Sequence, residues 1–482
     1  MKKITGLVVI LAVLVLGGYY GMGVITERTV KNNLDVVNKT NGLFADVVEY
    51  DRGWFKSQAS LDWRLHVPEH MAKTPDGQNK MEPAQNYQMQ MPLTIYHGPF
   101  IFADNGLKFG LGYAQTNFDL PAKYSEQFNA LFTAESTKPT LDVSLLVNYF
   151  NTSKITMSVP QFKLIAKQGG QFDWMGMDSH VNVSSSMNEI SGNFTIDGMR
   201  FAKDQQTADI GSISSNYNMH RTDKGLYLGD ASISLPSIMI KKQDQVLFEL
   251  QDFNAQTDSD ISGGLLNSNF KSSIDKIVVN GKTYGPGMFA MSIRNLDADA
   301  LVRINELASK AQQGTDIEKQ QAMLAIMPEL PKLLSRGAVF EVSDMNFNMP
   351  EGTIEGNVKI SLPESNVSNP FEMMQKIQGN GKLKVPAPVL KQIIAESVKQ
   401  KVMKTAMQQA MQASSDPSNA QPVTLDQNLA SQVAEQTDKQ INAMVQSGVL
   451  VENGKDYVVE ITLNQGKLTV NGQAFNPAML KF

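Results

Sequence analysis

Between Ser60 and Val67 the chain alternates with a period of two. Leu61, Trp63, Leu65 and Val67 fall on one side, and Ser60, Asp62, Arg64 and His66 on the other. A helix would scatter these residues around its axis, whereas a strand places each set on one face. The segment therefore belongs to a sheet with one apolar and one wet face. The same alternation returns at 155–159, 232–235 and 353–362, between turn signals such as Asp197-Gly198, Asn280-Gly281 and Asn471-Gly472.

The pattern also repeats at longer range. Val159-Pro160-Gln161-Phe162-Lys163-Leu164 matches Leu235-Pro236-Ser237-Ile238-Met239-Ile240, with the prolines 76 residues apart. At that offset Phe172 meets Phe248, Trp174 meets Leu250, and Asn193-Phe194 meets Asn269-Phe270. Apolar positions keep their phase while polar ones drift, as expected of two units along one long sheet. The candidate apolar face is Leu61, Trp63 and Leu65, then Phe162, Leu164, Phe172 and Trp174. Ile238, Ile240, Phe248 and Leu250 complete it.

After Met1-Lys2-Lys3, residues Ile4 to Ile25 carry no charge. As a helix at about 1.5 Å per residue this stretch spans roughly 33 Å, enough for a hydrocarbon core of about 30 Å. It is expected to be a transmembrane anchor. The two lysines keep the N-terminus cytoplasmic and place the bulk of this single-pass chain, after Glu27, outside the cytoplasm. A cleavable signal ending at Gly21-Met22-Gly23 is the competing expectation. Tyr19 and Tyr20 favour the retained anchor as an interfacial belt. Gly17 and Gly21 have GxxxG spacing, which suits a homo-oligomer.

The domain plan runs in seven parts. A cytoplasmic stub and anchor (1–26) precede a membrane-proximal helix (27–42), whose Val30, Leu34 and Val37 have helical spacing. An extended repetitive β region (43–295) leads to a helical insert (296–337) and a further β region (338–386). A helical hairpin (387–447) and a β hairpin (448–482) close the chain. The expected class is mainly β with helical inserts (α+β): an N-terminal transmembrane helix, then a long curved antiparallel sheet with internal repeats and a C-terminal helical hairpin.

Composition removes several functions. With 43 basic and 48 acidic residues the net charge is −5, and no basic excess points to nucleic acid. There is no cysteine, hence no disulfide, thiolate metal site or cysteine nucleophile, which suits an oxidising compartment. His66 and His70 are four apart, but Pro68 prevents the helix that would align them. Phosphate-binding, dinucleotide-binding, GxSxG and EF-hand patterns are missing. The chain is read as non-catalytic, with no cofactor and no metal.

Three segments carry a resemblance. Tyr50-Asp51-Arg52-Gly53-Trp54-Phe55-Lys56-Ser57 is similar to a Y-x-R-G-x-F-x-S motif, and His97-Gly98-Pro99-Phe100 follows downstream. The third is the ending, 448–475, with Gly454-Lys455-Asp456-Tyr457 and Gly466-Lys467-Leu468-Thr469-Val470-Asn471-Gly472. Together they resemble the YdgA-like family of Gram-negative envelope proteins, whose biochemical function is unassigned. The resemblance implies a periplasm-facing inner-membrane protein and supplies no catalytic residue. In architecture alone, an anchor with a long amphipathic β body is similar to AsmA-like envelope proteins, which are implicated in moving phospholipid. From the residues, Asp51-Arg52-Gly53 reads as a three-residue hairpin turn with Gly53 at positive φ and Tyr50 pairing with Trp54 or Phe55. The expected role is contact with lipid or acyl chains through the apolar face. The alternative is a structural or assembly factor holding an envelope protein partner or a second copy.

Overall fold

A computed structural model describes residues 19–24, 26–28, 43–67, 70–73, 79–120, 122–313, 316–365, 370–413 and 427–475. Antiparallel strands make up most of it, in two units: 1–245 with 309–320, and 246–308 with 321–482.

In the first unit, Leu43–Arg52, Lys56–Val67, Gln85–His97, Gly112–Asp119 and Thr140–Val147 pair successively. The ladder continues through Ser153–Val159, Met177–Val183, Glu189–Ile196, Ile213–Arg221 and the first half of Tyr227–Lys242. A second ladder joins Phe162–Ile165, Gln171–Trp174, Met199–Lys203, Gln206–Ile210 and the second half of Tyr227–Lys242. One 16-residue strand thus serves two sets of partners. The core lies at the start of the unit, where Ala59, Leu61, Leu93, Ile95 and Ala114 are buried together.

The second unit repeats this plan. Glu189–Ile196, Met199–Lys203, Gln206–Ile210 and Ile213–Arg221 have counterparts about 76 residues on in Leu265–Ile274, Lys276–Val279, Lys282–Tyr284 and Gly287–Asp297. Register follows: Phe194 pairs with Ser215 as Phe270 pairs with Met291. Where the repeat would need its next long strand, helix Ala298–Gln313 begins instead. Asp297 caps it, its carboxylate accepting from the Ala300 amide at 2.9 Å. Strands Val339–Met349, Gly352–Ser361, Gln378–Pro386, Asp456–Asn464 and Lys467–Val470 extend the sheet. Helices Ala387–Ala413 and Gln427–Gln446 form a hairpin around Ile394, Val398, Val402, Val433 and Ile441. It reaches the strands through Tyr457, so it buries mainly its own core rather than covering the sheet.

The expected fold class needs correction at its N-terminus. Among the described residues no helix is long and apolar enough to cross a membrane. Residues 1–18 of the expected anchor, with Gly17 of the GxxxG pair, and the expected helix at 29–42 lie outside the described residues. The described remainder, helical at 19–24 and 26–28, packs on protein. Tyr19 is buried and Gly23 lies against His97, so the tyrosines expected at a lipid interface are engaged by the first strands instead.

Candidate functional site

The expected apolar face divides into a closed part and an open part. Leu61 is buried and Trp63 packs against the same core, whereas Leu65 at the strand's far end is 43% exposed. The open part is the second ladder of the first unit. Cross-strand pairing lines up Leu164, Phe172, Phe201, Ala208 and Ile240 in one row. The next row on the same face is Phe162, Trp174, Met199, Ile210 and Ile238. Phe162 stacks on Trp174 at 5.9 Å, and Phe172 meets Phe201 at 4.5 Å between ring centres. Between these rows, on the opposite face, stand Lys163, Asp173, Arg200 and Asp209, with Arg200 and Asp209 paired at 3.4 Å.

None of the ten apolar residues is buried; Phe201 is 45% and Ile240 36% exposed. A groove of about 340 Å³ runs over the first row and ends at Phe132. Phe201, Met199, Ala208 and Ile210 were missing from the expected face. Their signal is the short alternation of 199–203 and 206–210 around a turn at Asp204, which takes a φ of 52°. In the second unit, Phe248 and Leu250 pair with Val279 and Ile277 and are half-buried. A second groove, of about 430 Å³, lies where Ile293, Phe340 and Ile360 face Met327, Leu330 and Leu334.

Of the motif residues, Arg52, Phe55, His97 and Gly98 meet the helical residues 19–24 and 26–28, with Gly53 and Pro99 next to them in sequence, while Tyr50 packs against the core around Ala59 and Leu61. The Tyr19 hydroxyl donates to the Phe100 carbonyl at 2.7 Å, and its ring meets Phe55 edge-on at 4.9 Å. Arg52 donates to Glu27 and to the Tyr20 hydroxyl, each at 3.0 Å, and lies over the Tyr20 ring. Trp54 packs on Tyr20. The Tyr149 hydroxyl donates to the Pro99 carbonyl.

The hairpin differs from expectation. Arg52 pairs with Ser57 and Tyr50 with Ala59, so residues 53–56 connect the paired positions and Tyr50 faces neither Trp54 nor Phe55. A register shift between Val47 and Glu49 displaces the strand. Gly53 does not take a positive φ. It is needed because an added Cβ would stand 2.3 Å from the Lys56 carbonyl. The two aromatics are thereby freed to reach the helix.

His97 is 1% exposed, and its Nε2 shares a hydrogen bond of 3.1 Å with the equally buried Ser57 hydroxyl. Burial pulls the imidazole below its ordinary pKa; the Tyr19 carbonyl opposes this, and the Arg52 guanidinium adds to it. Nδ1 makes no hydrogen bond of proper geometry with the described residues, so the serine–histidine pair lacks the carboxylate that would orient it as a base. Both side chains are closed off by packing: their bond ties two strands together, and the His97 ring carries the joint to the helix at Gly23. Among the described residues no group of three or more His, Asp or Glu side chains is placed to hold a metal.

Removing Arg52 tests this clamp. Exposed ion pairs contribute about 0.2–1 kcal/mol and cation–π contacts about 0.5–1 kcal/mol. Arg52→Ala should therefore weaken helix docking by about 1–2 kcal/mol, read as faster amide exchange in residues 19–28. Arg52→Lys should recover only part, because the fork that reaches Glu27 and Tyr20 together is lost.

Comparison with known families gives one assignment. The family described as Bacterial protein of unknown function (DUF945) matches residues 1–478. No curated protein matches the chain.

Proposed function

Since the chain belongs to that bacterial DUF945 family, we propose that it is a YdgA-like protein of the Gram-negative envelope, working outside the cytoplasm. Its role is non-catalytic: it takes up lipid acyl chains on the open apolar face of its sheet. One observation carries this reading, the two adjacent apolar rows between Phe162 and Ile240, none of whose residues is fully buried and of which Phe201 and Ile240 are exposed. Cysteine-free composition and the motifs at Tyr50 and His97 support the compartment.

The groove volumes, about 340 and 430 Å³, fall in the roughly 300–1,000 Å³ range of small-ligand sites. Burial gains about 0.8 kcal/mol per methylene, so a ten-carbon chain gains roughly 8 kcal/mol before association costs of at least about 4 kcal/mol. The net corresponds to a Kd near the millimolar range, which suits exchange along the face better than storage.

The test is purification of the full chain without detergent, followed by native mass spectrometry and lipid extraction. Bound acyl lipid is expected, and Phe201→Asp should lower its occupancy at least fivefold by placing a charge in the middle of the row. Absence of any lipid, together with an apolar fluorescent probe that finds no site, counts decisively against this role.

A further inference from the structure

The open face of the first unit ends in a row of different chemistry. Pairing continues from Phe201, Ala208 and Ile240 to Lys203, Gln206 and Lys242, one step along the strands and on the same face. Lys203 pairs with Gln206 across one gap and Gln206 with Lys242 across the next. The two lysines therefore stand about 10 Å apart at strand spacing. Both are exposed, and neither side chain makes an ion pair or hydrogen bond with the described residues. Lys203 and Gln206 line the groove itself. Two of the nearby carboxylates are engaged on the opposite face. Asp173 accepts from Gln171, and Asp209 pairs with Arg200 on the opposite face. Asp204 and Asp244 are exposed in the turns beyond the row, past the end of the groove lining.

Resting on the reading of this face as an acyl site, we propose that the groove takes a single-chain fatty carboxylate. Its tail lies over the Phe172–Phe201–Ile240 row, and its carboxylate sits between Lys203 and Lys242. Volume limits the tail to one chain: at about 30 Å³ per water-sized group, 340 Å³ holds roughly eleven such groups. Charge complementarity fixes the polarity of the ligand. An uncharged alcohol gains only the tail contact, and an ammonium head is repelled by the lysines.

Titration calorimetry of the full chain with decanoate, 1-decanol and decylammonium, each below its micellar concentration, tests this. Decanoate is expected to bind about fivefold tighter than decanol, as two exposed charge contacts supply, and the gap should narrow as salt rises. Lys203→Gln with Lys242→Gln should bring the two affinities together, and Lys203→Glu with Lys242→Glu should make decylammonium the preferred ligand. Equal binding of all three ligands by the wild-type chain overturns the carboxylate assignment and leaves the acyl-binding face standing. A preference that persists in the double glutamine variant also overturns it, because the head then lies elsewhere. If none of the three binds, the acyl-binding face fails, and the carboxylate assignment with it.

Discussion

Gly98→Val is expected to release the helical residues 19–24 and 26–28 from the first sheet and to destabilise that end of the unit by about 3 kcal/mol or more. Two costs add. Gly98 has a φ of +119°, a backbone region that a β-branched residue rarely enters, at about 1–3 kcal/mol. An added Cβ would also lie 1.9 Å from the Tyr19 ring, and overpacking of this kind costs about 1–3 kcal/mol. Because the first added atom already collides, Gly98→Ala should release the helix too. The check is amide exchange of residues 19–28 beside chemical denaturation of the full chain. Tyr19→Ala in the Gly98→Ala background should then cost little more, since the collision has already removed the contact. A Gly98→Ala chain with full protection at residues 19–28 would mean that the helix does not rest on Gly98.

Acidification is expected to loosen the same joint. The folded His97 is held below the ordinary value of 6.5, so the unfolded chain takes up the proton first. Stability from this group is whole above about pH 6.5 and declines as pH falls below it, until the folded imidazole titrates as well. The cause is local. An imidazolium at 97 would be buried against Gly23, near the Arg52 guanidinium, while Glu27 is already committed to Arg52. Ser57 and Tyr19 offer dipoles but no charge. Denaturation at pH 8 and pH 5 should show a loss in the wild-type chain that is smaller in His97→Gln, which keeps an amide within reach of Ser57. The difference between the two chains isolates His97 from other titrating groups. Identical losses would place the pH dependence elsewhere.

Much of this architecture is legible in the sequence. The 76-residue offset between Pro160 and Pro236 marks a real recurrence of strand order, because both copies must present the same phase to their neighbours. Phe162, Leu164, Phe172, Trp174, Ile238 and Ile240 were found by their period, which alone decides the face of a strand. Other features were hidden. Gly53 looked like a left-handed turn residue, yet its reason is a carbonyl three residues on, a distance that only the closed hairpin creates. Ser57 and His97 are 40 positions apart and carry no shared motif, so their bond emerges only when Lys56–Val67 pairs with Gln85–His97. Aromatic flanks of an uncharged stretch usually sit at a lipid boundary, and the local pattern alone puts Tyr19 and Tyr20 there. Their contacts with Phe55 and Trp54 are long-range and leave no local trace.

Local sequence therefore determined which segments are strands, which side of each is apolar, and where the pattern repeats. These follow from the two-residue period of the extended chain and from turn chemistry, both of which act over a few residues. Whether an apolar row becomes core or surface was decided by tertiary structure alone. Leu61 is closed because neighbouring strands bring Leu93 and Ile95 to it, while Phe201, with the same local pattern, is left half in water. Burial is a property of what arrives from elsewhere in the chain, and no periodicity encodes it.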